Sequence, residues 1–158
     1  MRIKGITDED FINYKLPSMF ISTSTCDFKC DKESGKHLCQ NCELVHMPDI
    51  EVWPMKIVER YESNPITKAI VFGGLEPFDQ FVDLITTIAA FRIRKVNDDI
   101  VIYTGYCENE IADRVNELKT FGNIIIKYGR FVPDQDPHFD EVLGVNLASD
   151  NQYAKRIA

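Results

Sequence analysis

Cys26, Cys30, Cys39 and Cys42 fall within 17 residues in the pattern Cys-x3-Cys-x8-Cys-x2-Cys, and Cys107 stands alone. Thiolates are soft ligands, and zinc and iron–sulfur clusters are the centres that take them. All four together can close a tetrahedral zinc site. Three of them on a 4Fe–4S cluster leave one iron open to a small ligand. His37 and His46 flank the segment and gain importance only if the metal is zinc. The segment is too polar to be core, so its thiols do not read as ordinary buried cysteines. Cys107 reads as a spare thiol, with nothing chelating beside it.

A second group with chemical potential is Gly73-Gly74-Leu75-Glu76-Pro77. Glycines let backbone amides approach a ligand closely. A helix beginning at Pro77 offers its N-terminus to a carboxylate. A glutamate accepts hydrogen bonds from an ammonium. Together they suit a ligand that carries both groups. Asp134, Asp136 and Asp140 read as a solvated acidic loop, not a catalytic carboxylate pair.

These groups need elements to hold them. Met19–Thr23 reads as a buried strand leading straight into the cysteines, which lie in a polar loop. Ala69–Phe72, Ile100–Tyr103 and Ile124–Ile126 are further short apolar runs, each followed by glycine within a few residues. Between them lie helical patterns over residues 51–62 and 77–96, and around Ile111, Val115 and Leu118. Alternating strands and helices imply parallel pairing with crossover helices. The expectation is an α/β fold over residues 1–158 as one domain, either an open doubly wound sheet or a small incomplete (βα) barrel. A full eight-fold barrel needs roughly 250 residues. The cysteine loop, Gly73-Gly74 and Thr104-Gly105 all follow strands, which places the chemistry on the C-terminal rim of the sheet.

Composition narrows the classes. With 158 residues, 44% hydrophobic and 27% charged, the chain can bury a core without disulfides. Five cysteines and no apolar leader argue against a disulfide framework. A formal net charge of −7 disfavours general nucleic-acid binding. No apolar run approaches the roughly 18 to 20 residues that span a bilayer, so the expected location is the cytoplasm.

Cys26-Asp27-Phe28-Lys29-Cys30 resembles the first half of the CxxxCxxC signature of the radical S-adenosylmethionine superfamily. Eight residues, Asp31 to Leu38, replace the usual second gap of two, and Cys39-Gln40-Asn41 resembles the end of the signature in activating enzymes. Gly73-Gly74-Leu75-Glu76-Pro77 resembles the Gly-Gly-Glu-Pro motif with Leu75 inserted. Tyr103-Thr104-Gly105-Tyr106, Gly129-Arg130-Phe131 and Ser149-Asp150-Asn151-Gln152 resemble segments of anaerobic ribonucleotide reductase activating proteins. Tyr128 stands where that family usually has an aspartate.

The resemblance implies the incomplete barrel and a 4Fe–4S cluster on Cys26, Cys30 and Cys39, with Cys42 as the alternative third ligand. It implies S-adenosylmethionine bound by Gly73, Gly74, Glu76 and Thr104. It further implies anaerobic generation of a glycyl radical on a partner, the large subunit of anaerobic ribonucleotide reductase, with flavodoxin or ferredoxin as electron donor. Two other readings remain: radical chemistry on a small molecule such as a modified-base precursor, and a non-catalytic four-cysteine zinc module.

Overall fold

The computed structural model describes residues 1–158. In chain order the strands are β1 (Arg2–Asp10), β2 (Ser18–Thr23), β3 (Ile50–Glu51), β4 (Ala69–Gly74), β5 (Asp99–Tyr103), β6 (Ile124–Tyr128), β7 (His138–Asp140), β8 (Val145–Leu147) and β9 (Tyr153–Arg156). The helices are α1 (Lys29–Ser34), α2 (Pro54–Glu62), α3 (Phe81–Ile93) and α4 (Ala112–Leu118). Seven strands form one sheet in the order β3-β1-β2-β4-β5-β6-β9, and β7 pairs with β8 in a separate hairpin. The central strands β2, β4, β5 and β6 run parallel. β1 and β9 flank them antiparallel, and β3 adds a short outer edge beside β1.

The continuous apolar runs form the centre because both faces of these strands are covered. Ile70, Phe72, Ile100, Ile102, Ile124 and Ile126 point to one face. There they meet Ile57, Val58 and Tyr61 of α2, Leu84, Ile88 and Phe91 of α3, and Val115 and Leu118 of α4. The alternate residues Val71, Val101 and Ile125 face the other side, covered only by Tyr14, Leu143, Leu147 and their neighbours.

The architecture is therefore mixed α/β with a mostly parallel central sheet. β2, β4, β5 and β6 lie side by side in sequence order, so every crossover steps the same way and the three long connections stack their helices on one face. A doubly wound sheet needs a reversal of strand order and helices on both faces, and this chain has neither. No helix is long and apolar enough to cross a membrane.

One element was unread and two local readings need correction. Arg2–Asp10 is a strand, hidden in the sequence because its composition is largely polar and its register breaks twice against β2. The cysteine segment is not wholly loop, since it contains α1 and a 3-10 turn at Cys42–His46. Asp140 is buried, accepting from the backbone N–H of Leu143 and of Ala154, each at 2.8 Å. It organises the turn between β7 and β8 and is not solvated.

Candidate metal centre

Thr23 at the end of β2 lies in register with Gly74 at the end of β4, so both exits open on the same rim. The outgoing chain is tied to the turn after β4. Glu76 N–H donates to the Thr25 carbonyl at 2.8 Å, Ser24 N–H to Gln80 Oε1 at 2.7 Å, and Asp27 N–H to Asp79 Oδ2 at 2.7 Å. Phe28 then takes a left-handed conformation, φ 55°, which turns the chain into α1. Its N–H points back at Cys26 Sγ, 3.3 Å away. A sulfur that already accepts a backbone N–H is oriented for metal ligation.

The eight residues between Cys30 and Cys39 close on themselves. Asp31 Oδ1 accepts from Leu38 N–H at 2.8 Å and from Cys39 N–H at 2.9 Å, while Oδ2 meets His37 Nδ1 at 2.9 Å. Gly35, at φ 65°, terminates α1 and donates to the Asp31 carbonyl at 3.0 Å. One carboxylate next to Cys30 thus pins the backbone of Cys39, and the excursion begins and ends at the same place. Asp31→Ala is expected to lower iron per chain after anaerobic reconstitution by at least half. Asp31→Asn keeps an oxygen for both N–H groups and should restore most of it, read by iron and sulfide analysis.

Cys26, Cys30 and Cys39 all line one cavity of about 340 Å³ at this rim. Cys42 does not line it; it opens the 3-10 turn, its thiol 4.0 Å from Glu43 Oε1. Burial pushes the Cys26 thiol up to about 12, and burial together with the neighbouring Cys39 pushes Cys30 up. Thiols that raise one another in this way are relieved by a shared cation, with release of their protons. A tetrahedral zinc would hold its sulfurs roughly 3.8 Å apart, from Zn–S bonds near 2.3 Å. The trio of metal-capable side chains within 4.8 Å of one another is Cys26, Asp27 and Asp79. The thiols of Cys30 and Cys39 are close enough to act on one another, and three thiolates on one rim suit a cluster with a separate iron for each.

Gly74 lines the same cavity at φ 82°, and a Cβ there would sit 3.2 Å from Ser22 Cα. A side chain at this position would push β4 away from β2 and strain the exit loop. Gly73 does not line the cavity. Its missing side chain makes room for the Phe20 ring, which a Cβ would meet at 3.0 Å.

Glu76 is buried and caps the 3-10 turn Pro77–Gln80. Oε1 accepts from Phe78 N–H at 3.0 Å and from the Thr104 hydroxyl at 2.8 Å, and Oε2 accepts from Gly105 N–H at 2.9 Å. Thr104 in turn accepts from Tyr106 N–H at 3.0 Å. Glu76 and Thr104 therefore join the exits of β4 and β5. A carboxylate has about four acceptor sites, and three donors use this one. Burial pushes Glu76 up to about 7 despite those donors.

The exit of β6 forms the far wall. Gly129, at φ 97°, is so close to Asn151 that a Cβ would lie 2.8 Å from the Asn151 carbonyl. Asn151 Nδ2 donates to the Arg130 carbonyl at 2.7 Å, and Gln152 Nε2 to the Gly129 carbonyl at 3.3 Å. The Gly-x-Phe and Ser-x-Asn-Gln segments thus meet. Arg130 makes a two-point ion pair with Glu110 and reaches Glu33 of α1 at 3.2 Å, linking the cysteine loop to this wall.

Sequence reasoning missed three residues that shape the site. Asp31 closes the insertion. Asp79 receives Asp27 N–H on one oxygen and the Tyr106 hydroxyl, at 2.6 Å, on the other. Lys127 is buried on the cavity wall. Only Lys127 left a trace in the sequence, as a lone charge in the apolar run of β6.

A family model described as a 4Fe-4S single cluster domain matches residues 18–152. No curated protein and no solved structure gives a significant match.

Proposed function

Because the chain belongs to the 4Fe-4S single cluster domain family, we propose that it is a radical S-adenosylmethionine activase working in an anaerobic cytoplasm. The carrying observation is the convergence of Cys26, Cys30 and Cys39 with Gly74, Glu76 and Thr104 around one cavity. Cys26, Cys30 and Cys39 would hold three irons of a 4Fe–4S cluster and leave one open to a small ligand. Bound there, the cluster would supply the single electron that splits S-adenosylmethionine into methionine and a 5′-deoxyadenosyl radical. Flavodoxin or ferredoxin would supply the next electron to the oxidised cluster.

The chain's own residues do the rest. Gly74 allows close approach to its backbone, and the fourth acceptor site of Glu76 takes the ammonium of the methionine end. Phe20, Tyr103 and Phe131 line the same cavity and exclude water from the reacting carbon. The single-faced helical layer fits an incomplete barrel, open enough for a peptide loop. In this reading the radical takes a hydrogen from a glycine of a partner, the large subunit of anaerobic ribonucleotide reductase. What supports that partner is the set of segments resembling its activating proteins, which the structure packs around one rim.

The test is anaerobic turnover of the reconstituted chain with dithionite and S-adenosylmethionine. Equal amounts of methionine and 5′-deoxyadenosine, absent without the cluster, are expected. A chain that holds a full cluster and cleaves no S-adenosylmethionine, with or without the partner, overturns the proposal.

A further inference from the structure

Lys127 sits in β6 between Ile126, which faces the helices, and Tyr128, which does the same. Strand alternation therefore turns Lys127 to the opposite face, into the cavity. Only 7% of the residue is exposed. Its ammonium has one hydrogen-bond partner, the Gly129 carbonyl at 2.9 Å. That carbonyl is shared with Gln152, and the ammonium forms no ion pair with a carboxylate. Lys127 Nζ stands 5.9 Å from the centre of the Tyr103 ring. The Glu76 charge acts on it without a hydrogen bond, and three of the Glu76 acceptor sites are taken by Phe78, Thr104 and Gly105.

A buried cation without an anionic partner is costly and is retained where something pairs with it. An ammonium has three donors, so Lys127 has capacity beyond the Gly129 carbonyl. The Tyr103 ring is near it and Phe20 and Phe131 line the same cavity, which suits the apolar body of an organic molecule rather than a bare inorganic ion. A volume of about 340 Å³ lies within the range of small-molecule sites.

We infer that Lys127 is the anion-binding residue of this cavity and that it takes the carboxylate of a small organic ligand. The carboxylate has two sources: the amino-acid end of S-adenosylmethionine, an assignment that rests on the proposed function, or a second molecule, which does not depend on it. Burial brings the amine down to about 8 against the opposing pull of the Glu76 charge, so it is reactive under mild conditions.

The experiment is trace methylation of the cluster-bearing full chain with formaldehyde and a mild borane. Lys127 is read by mass spectrometry against exposed Lys68. Four probes are added in turn: acetate, its neutral isostere acetamide, S-adenosylmethionine, and decarboxylated S-adenosylmethionine. Binding of the two nucleosides is measured in parallel by equilibrium dialysis. The expected result is that acetate and S-adenosylmethionine slow Lys127 at least threefold relative to Lys68, while acetamide and the decarboxylated nucleoside do not. Protection by acetate alone supports the anion site and assigns it to a second molecule. If S-adenosylmethionine then also fails to bind in dialysis, the proposed function falls while the anion site stands. Lys127 unprotected by acetate and by S-adenosylmethionine, or protected equally by the neutral probes, overturns the inference.

Discussion

Cys39→Ala is expected to abolish the intact 4Fe–4S cluster, whereas Cys42→Ala should leave at least four-fifths of the iron and sulfide in place. The two cysteines are separated by only Gln40 and Asn41, but the structure treats them differently. Cys39 is anchored through its own N–H to Asp31 and lines the cavity with Cys26 and Cys30. Cys42 begins the next turn and turns its thiol towards Glu43. A cluster that loses one of three thiolates has no other ligand held in position, so the loss is near complete rather than graded. Iron and sulfide analysis, with the visible charge-transfer absorption and the EPR spectrum of the reduced protein, checks both variants. The reverse pattern, with Cys42 essential and Cys39 dispensable, would assign the third iron to Cys42.

The stability of the metal-free chain should pass through a minimum near pH 7 to 8, set by Glu76 and Lys127. Burial raises Glu76 from its usual 4.5 to about 7. Between those values the folded chain binds more protons than the unfolded chain, so stability falls as pH rises. Burial lowers Lys127 from 10.5 to about 8. Between those values Lys127 binds fewer protons in the folded chain than in the unfolded one, so stability climbs from pH 8 until, above the usual 9.0 of a thiol, the raised Cys26 begins to oppose it. Each displacement corresponds to roughly 2 to 4 kcal/mol over its window. At neutral pH the fold therefore carries both penalties, as groups kept for binding often do.

Lys127→Met removes the second penalty and forfeits one hydrogen bond. It should stabilise the chain at pH 7 by about 1 to 3 kcal/mol and erase the rise above pH 8. Without the lysine opposite, Glu76 should lose stability over a window that extends further upward. Urea melts at a series of pH values measure all of this. A profile that is flat from pH 5 to 10 in the wild type would show that neither group is held as buried as the structure places it.

The central strands and the helices between them were legible because each pairs a continuous apolar run with a periodic helix. The rim position of the cysteines followed from the same pattern. β1 was not legible, since only Ile3 and Ile6 carry its apolar face and the register slips between them. The crossover sense was also hidden: one-sided and two-sided helix layers present the same run of strands and helices. Thr104 was visible by its place after β5, but its use as a bridge between Glu76 and Tyr106 depends on contacts 28 and 2 residues away. Asp31 illustrates the limit most sharply. A carboxylate beside a cysteine looks like surface charge until the backbone seven and eight residues later folds onto it.

The two faces of the central sheet are clad unequally, with a cluster of 22 buried apolar residues on the helical side and 7 on the other. Cooperative opening draws first on the thinner layer. Amide protons of β7 and β8 should exchange with deuterium at least tenfold faster than those of β4 and β5. Because Val145, Asn146 and Leu147 belong to the cavity lining, that hairpin would be the first part of the ligand's enclosure to loosen, while the strands carrying the rim stay paired.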